Sequence, residues 1–255
     1  MFITKESLKE KGACGAGTRA FIERFPEGAE YQTILDALAA ENNYEWASWL
    51  MHQFGTTDTV MEVNEINIEA SLFFAGKIIV KGALKIAKWL LAGRGIEAGR
   101  GIEAGWGIEA GRGIKAGRGI KAGEGIEAGR GIEAGDGIEA GDGIEAGRGI
   151  KAGDGIEAGR GIEAGWGIEA GRGIEAGRGI KAGRGIKAGD GIEAGRGIEA
   201  GEGIEAGWGI EAGDDFGIYA GLKIRISQKK EYATIRAKEK PQNIVCGEFI
   251  EATDK

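Results

Sequence analysis

Residues 93–117 read GRGIEAGRGIEAGWGIEAGRGIKAG, which is one six-residue phrase repeated four times. Anchored on isoleucine, the phrase is Ile-(Glu/Lys)-Ala-Gly-y-Gly, and it recurs every six residues from Ile96 to Ile210. In an extended chain the Ile and Ala point to one side and the charged residue to the other. The Gly-y-Gly segment is typical of a corner, because glycine adopts backbone angles closed to other residues. Each phrase therefore predicts one short strand followed by one turn.

A strand of three residues cannot bury its own isoleucine, so the phrases must cover one another. Stacked coils achieve this when each strand pairs in parallel with the one above and Ile and Ala fill an interior column. The sequence therefore predicts a mainly β protein built as a parallel β-helix, with three phrases per coil as the preferred arrangement. Neither the period nor the charge pattern decides that number. Each lysine of the strand position has glutamate neighbours two, three or four phrases away: Lys115, Lys121, Lys151, Lys181 and Lys187.

The same register extends beyond the perfect repeats on both sides. Before Ile96, five aliphatic pairs fall in phase with it: Ile66/Ile68, Leu72/Phe74, Ile78/Val80, Leu84/Ile86 and Leu90/Ala92. After the two-residue insertion in DDF, Ile218/Ala220 and Ile224/Ile226 continue the pattern. We therefore predict a hexapeptide-repeat β-helix over residues 60–226, a rod of about 45 Å at about 4.8 Å per coil.

Residues 71–93, SLFFAGKIIVKGALKIAKWLLAG, allow a second interpretation. Their lysines also line one face of a helix, as in a basic membrane-active peptide, although the segment is too rich in lysine for an ordinary transmembrane span. The phase match to Ile96 favours β-coils. In that case Phe73, Ile79 and Leu91 point outward and need a cover.

The two ends of the chain differ from the array. Residues 1–59 predict a small α-helical module with helices in TKESLKEKG, TRAFIERFPEG, YQTILDALAAE and NNYEWASWLMHQFG. Docked on the first coils, this module would act as a cap and block end-to-end stacking. The tail, residues 227–255, has two strand-like runs around Pro241 and is predicted to cap the other end.

Composition excludes several classes of chemistry. The chain has 255 residues, a net charge of −7, one histidine and two distant cysteines, Cys14 and Cys246. With these residues, a zinc site, a Ser/His/Asp triad or a disulfide framework is not expected. GRGIEAG has glycines spaced GxGxxxG with no following helix, unlike a dinucleotide fingerprint. Identical repeats cannot separate the pKa values of an acid and a base. We predict no catalytic, cofactor-binding or metal site, and hence no enzyme.

Further features bear on location and partners. The first residues show no signal peptide, and cysteine usage is that of a reducing compartment, so a cytoplasmic location is expected. Trp106, Trp166 and Trp208 occupy position y and fall on three different corners of a three-phrase coil, where each is expected to pack on neighbouring arginines. Between residues 94 and 214 there are 16 basic and 22 acidic residues, a net charge of −6. B-DNA carries about 19 charges over about 32 Å, so DNA mimicry is disfavoured.

The strand-plus-turn phrase resembles the hexapeptide-repeat β-helix proteins. Ala98 follows Ile96 by two positions, whereas the left-handed acyltransferase pattern places its small residue two positions earlier. In this respect the phrase looks more like bactofilins, whose right-handed β-helix polymerises. The arrangement of GACGAGTRAFIERFPEG, EWASWL and the IEAG array resembles uncharacterised phage and prophage proteins. That resemblance implies a role in phage–host interaction.

Together these features predict a non-enzymatic β-helical scaffold whose partner contacts lie at its ends. The candidate contact residues are Trp46, Trp49, Lys229, Lys230 and Arg236. The expected partner is a host protein, such as a defence factor, and a homo-oligomer is a further option. Nucleic acid and membrane are not favoured as partners. The alternative function is a self-assembling filament of the bactofilin type, and a DNA-mimic inhibitor is less favoured.

Overall fold

The computed structural model describes residues 1–222 and 233–252. The described chain consists of an N-terminal α-helical module followed by a parallel β-solenoid with three sheets, and both parts were predicted. Ile224, Ile226, Lys229 and Lys230 lie outside the described residues.

Residues suited to helix ends flank the helices of the module, which are α1 (Lys5–Glu10), α2 (Gly15–Arg24), α3 (Tyr31–Ala40) and α4 (Tyr44–Phe54). Thr4 caps α1 by accepting a hydrogen bond from the Ser7 amide, and Asn43 caps α4 in the same way through the Trp46 amide. Helix α4 ends at Gly55, whose φ of 79° favours glycine.

Two short strands that the sequence did not predict, β1 (Phe2–Ile3) and β2 (Ala29–Glu30), pair antiparallel within the module. The solenoid begins with six strands of irregular sequence: β3 (Val60–Val63), β4 (Ile66–Ile68), β5 (Leu72–Phe74), β6 (Lys77–Val80), β7 (Leu84–Ile86) and β8 (Leu90–Ala92). Twenty strands follow at six-residue intervals, from β9 (Ile96–Ala98) to β28 (Ile210–Ala212). The last strands are β29 (Ile218–Ala220), β30 (Thr234–Ala237), β31 (Ile244–Cys246) and β32 (Glu248–Glu251).

The strands of the array pair in parallel with the strands three phrases before and after them, so one coil contains three phrases. Ile114 pairs with Ile96 on one side and with Ile132 on the other. We call the sheet that contains Ile96–Ala98 face I, the sheet of Ile102–Ala104 face II, and that of Ile108–Ala110 face III. They have 11, 9 and 10 strands respectively among the described residues. The preferred three-phrase coil is therefore confirmed.

The interior of the solenoid is the predicted column of isoleucine and alanine. Ile150 and Ala152 are 1% and 2% exposed, and the same holds along the array with little variation. The Ile96 amide donates to the Gly113 carbonyl of the next coil, and the Gly99 amide donates to the Val80 carbonyl of the previous one. Burial of the apolar column and the continuous ladder of hydrogen bonds together hold the coils in register.

The outward lysines pair with glutamates at the spacing that the backbone pairing sets. All five lysines of the strand position form an ion pair with a glutamate one coil away, as Lys115 does with Glu133 at 3.2 Å and Lys181 does with Glu163 at 3.4 Å. These pairs are exposed, so each contributes little to stability, at most about 1 kcal/mol. They nevertheless match the coil length of the backbone pairing.

The corner glycines are needed for a different reason from the one predicted. Within the described residues, no glycine of the array has a positive φ. The first glycine of each corner instead lies against the backbone of the previous coil. A Cβ at Gly117 would come within 2.2 Å of the Gly99 carbonyl oxygen, and one at Gly135 within 2.2 Å of that of Gly117. Close approach of stacked backbones, rather than left-handed geometry, therefore requires glycine.

Residues 71–93 form β5 to β8, so the alternative of an amphipathic helix is wrong for this segment. The helical module covers Phe73 and Leu91, which are 0% and 1% exposed and belong to the core of the module. Ile79 was predicted to share this cover but does not, because it lies one phrase further on, in face I. It stays half-buried between Glu62 and Glu97 of the neighbouring strands.

The module also covers one of the three sheet edges at the start of the solenoid. The Gln32 side chain of α3 donates to the Phe73 carbonyl at 2.7 Å and accepts from the Ala75 amide at 3.2 Å. One coil further on, the equivalent amide of Gly93 donates to the Phe74 carbonyl. Gln32 thus replaces a missing strand at the edge of face III.

At the other end, the strands of the tail extend two of the faces. Ile218 pairs with Ile198, where the regular period would have placed Phe216, so the insertion in DDF is absorbed without loss of the sheet. Strands β30 and β32 continue face I, and β31 continues face III, on either side of Pro241.

Candidate interaction surfaces

The three faces carry different ladders of outward side chains. On face I, glutamate and lysine alternate from Glu97 to Glu205. On face II, five successive strands present glutamate: Glu139, Glu157, Glu175, Glu193 and Glu211. On face III, four do so: Glu109, Glu127, Glu145 and Glu163. Folding therefore gives distinct electrostatic surfaces to phrases that look alike in sequence.

The corner residues form three edges, and one of them is strongly basic. The edge between faces III and I carries, in order along the rod, Arg94, Arg112, Arg130, Arg148, Trp166, Arg184 and Glu202. From Arg112 onward, the backbone amide of each donates to the carbonyl of its counterpart in the previous coil, as in Arg130 to Arg112 at 2.9 Å. Their side chains therefore rise in a single row. We call this row the arginine edge.

The exposed tryptophans lie on cations, each on a different edge. Trp166 is sandwiched between Arg148 and Arg184, with guanidinium-to-ring distances of 5.5 and 4.9 Å. The prediction of packing on arginine is confirmed for this residue. It is wrong for Trp106 and Trp208, whose cation–π partners are Lys88 at 5.5 Å and Lys238 at 4.3 Å, because those positions of the adjacent coil hold lysine.

The most distinctive cluster lies where helix α4 meets face III. Tyr44 stacks on Trp89 with ring centroids 4.2 Å apart, and its hydroxyl donates to the Glu109 carboxylate. Trp89 in turn contacts Trp106 edge-on. The Trp89 ring lies over Gly107, where a Cβ would come within 2.0 Å of the ring. The glycine at the second corner position, Gly107, thus makes room for the aromatic side chain of Trp89 from the previous coil.

Burial at this junction changes two acid–base equilibria. Desolvation raises the pKa of Tyr44 above its usual range, and the hydrogen bond to Glu109 adds to the effect. The pKa of Glu127 is also raised, first by desolvation and then by the charge of Glu109. His52 on α4 opposes that shift. The junction is therefore the one part of the described array where a repeat carboxylate, Glu127, has a resolved pKa shift.

The structure separates the predicted contact residues into two groups. Trp46 and Trp49 are half-buried in α4 and pack against the core of the module. Trp46 lies beside Gly17 at the start of α2. Arg236 is exposed on face I next to Glu205, about 40 Å along the rod from the module. The Tyr44–Trp89 cluster was missed. The signal for it was Trp89, which interrupts the corner pattern one position after Lys88.

Potential metal ligands and the two cysteines are the remaining groups with possible chemistry. Within residues 1–222 and 233–252, no group of three or more His, Cys, Asp or Glu side chains is placed to hold a metal ion. Cys14 is exposed and accepts a hydrogen bond from the Gly17 amide, and Cys246 is half-buried. None of the helices in these ranges has the length and apolar character needed to cross a membrane.

These features define a class of protein, a β-solenoid with a helical module packed on its first coils. Residues 1–56 match the family model of the YdhT N-terminal domain. The match ends two residues after α4, so it corresponds to the helical module alone. No curated protein and no solved structure gave a significant match to the chain.

Proposed function

We propose that this chain is a non-enzymatic β-solenoid scaffold that binds a protein partner through its ends. The observation that carries the proposal is the distribution of chemically distinct side chains. Along the array, the outward positions hold almost only exposed Glu, Lys, Arg and Asp, repeated at fixed intervals. Half-exposed aromatic side chains are concentrated on the helical module and its junction with face III. Such side chains are the usual anchors of protein interfaces.

The resemblance of the sequence to phage proteins supports a more specific form of the proposal. In that form the partner is a host protein, such as a defence factor, bound in the cytoplasm. The Tyr44–Trp89 cluster and the neighbouring Trp46 and Trp49 would contact it at one end. Arg236, with Lys229 and Lys230, would contact it at the other.

The alternative of an end-to-end filament is less well supported by the first coil. Coaxial stacking needs free strand edges on all three faces, and the edge of face III is already occupied by Gln32 and α3. DNA mimicry is also less well supported. In a DNA mimic, carboxylates would need to dominate the surface, whereas in this array the arginine edge lies between faces III and I.

The proposal is tested by affinity capture from a bacterial lysate with the full chain, followed by mass spectrometry. We expect Trp46→Ala and Arg236→Glu each to reduce capture of the partner by about 10-fold or more, the loss typical of an interface anchor. Matched variants in the array, Trp166→Ala and Lys151→Glu, should capture it as the unmodified chain does. Circular dichroism checks that each variant is folded.

The opposite pattern would contradict the proposal. If Trp166→Ala or Lys151→Glu abolished capture while both end variants retained it, the array rather than the ends would hold the binding site. Lys151 is a close control for Arg236, because both are basic residues in the outward position of face I beside a glutamate.

A further inference from the structure

The arginine edge lies on the side of the rod opposite face II, because a coil with three faces places each edge across from the remaining face. Edge and face carry opposite charge. From Arg94 to Glu202 the edge holds five arginines and one glutamate, a net charge of +4 (5 − 1). From Lys85 to Glu193, the outward ladder of face II holds five glutamates and two lysines, a net charge of −3 (2 − 5). The rod is therefore polarised across its width.

Part of this charge is already neutralised within the chain: Arg94 pairs with Asp58, Glu103 with Lys85, and Glu139 with Lys121. The rest has no ionic partner in the described part of the chain. Arg112 and Arg130 are exposed and form no ion pair there, and neither do Glu157, Glu175 and Glu193. Like charges stacked about 4.8 Å apart along a row repel one another. An opposite row with the same spacing would relieve both repulsions.

We propose that a second copy of this chain supplies that row, with the arginine edge of one rod lying antiparallel along face II of the next. In this register, the residue numbers of the two side chains that meet in each rung add up to 287. Seven successive rungs are then compatible in charge: Arg94 with Glu193, Arg112 with Glu175, Arg130 with Glu157, Arg148 with Glu139, Trp166 with Lys121, Arg184 with Glu103, and Glu202 with Lys85. The tryptophan rung pairs an aromatic ring with a cation.

The spacing favours a second copy over other partners. Successive rungs of the edge are one coil apart, about 4.8 Å, whereas same-face residues of an extended peptide are about 6.8 Å apart. A nucleic acid would bring its phosphates against face III, where Glu127, Glu145 and Glu163 stand beside the edge. Another solenoid of this sequence has the matching period on both surfaces.

Face II is also the accessible acidic face. The first part of the glutamate ladder of face III is already engaged, since Glu109 accepts a hydrogen bond from Tyr44 and α4 lies against that face. Because edge and face II lie on opposite sides, each rod can bind one neighbour on each side. Such a contact is heterologous and does not close, so it produces a growing lateral array rather than a dimer.

Sedimentation velocity on the full chain tests the proposal. We expect the weight-average sedimentation coefficient to rise with concentration without a plateau at about 20 mM NaCl, and the association to weaken at least ~10-fold at about 300 mM NaCl. The variant R112E/R130E/R148E should remain monomeric at low salt. A matched control, R160E/R178E/R196E, changes the net charge equally on the edge between faces II and III and should still associate.

Mixing two variants separates specific pairing from general charge effects. The variant E139R/E157R/E175R alone should not associate, because its edge and face II are both basic. Mixed with R112E/R130E/R148E, it should associate again, since each edge now meets a complementary face. The proposal is overturned if the unmodified chain is monomeric at low salt, if the matched control loses association equally, or if the mixture stays monomeric. Binding of duplex DNA by the arginine edge of a monomeric chain would also overturn it.

Discussion

Ile150→Asp should unfold the coils around it. Ile150 is 1% exposed and pairs with Ile132 and Ile168 in the interior column of the solenoid. A carboxylate there would be buried without a partner, which should lower the free energy of unfolding by about 3–5 kcal/mol. Because each coil contacts only its neighbours, the disruption should spread along the array from the substituted rung. Thermal unfolding followed by far-UV circular dichroism measures the loss of strand signal.

The control for this substitution is Glu157→Lys, which changes the charge of an exposed side chain in the next phrase. Its effect on the free energy of unfolding should be under about 0.5 kcal/mol, as for other surface changes. Equal stability of Ile150→Asp and Glu157→Lys would mean that isoleucine does not fill a dry interior, contrary to the structure.

Deletion of residues 1–55 should convert the protein into an aggregating chain. The deletion exposes Phe73 and Leu91, which the module buries almost completely, and it removes Gln32 from the edge of face III. An apolar patch beside an unpaired parallel edge is a template for association with other chains. Size-exclusion chromatography with light scattering should show large species for the truncated chain and a defined species for the full chain at moderate salt.

A second truncated chain makes the cause of aggregation clear. This chain lacks residues 1–55 and also carries Phe73→Thr and Leu91→Thr, so it keeps the strands but has a polar surface on face III. We expect this variant to regain much of its solubility. A simple truncated chain that stays soluble, with the same oligomeric state as the full protein, would show that the module does not protect the first coils.

The architecture could be predicted because every phrase has the same alternation of apolar and charged residues. Alternation of Ile96, Glu97 and Ala98 decides which side chains are buried whatever the number of phrases per coil, so the interior column followed directly. The coil length did not follow, because every lysine has glutamates at several distances. Only the backbone pairing of Ile114 with Ile96 and Ile132 selects three phrases per coil.

Corners and junctions were harder to predict. The glycines of the corners were attributed to their backbone angles, while Gly117 and Gly135 are needed because stacked carbonyls leave no room for a Cβ. The Tyr44–Trp89 stack depends on which face the module occupies. The position of the module in turn depends on Phe73 and Leu91, which both lie on face III, whereas Ile79 lies on face I and is not covered by the module. The face on which each of these residues lies can be predicted only once the number of phrases per coil is known.

The distribution of function between array and ends is tested most directly by shortening the array. Deletion of residues 135–152 removes one whole coil and leaves every later strand on its own face, so the ends keep their relative orientation. We predict that this chain folds and still captures the partner. A partner bound at one end should keep an affinity within about 3-fold of that for the full chain, whereas a partner that bridges both ends should bind more weakly with each coil removed. Deletion of residues 135–140 is the control, because it moves every later strand by one face around the rod. Loss of the partner from a folded chain that lacks residues 135–152 would contradict the account.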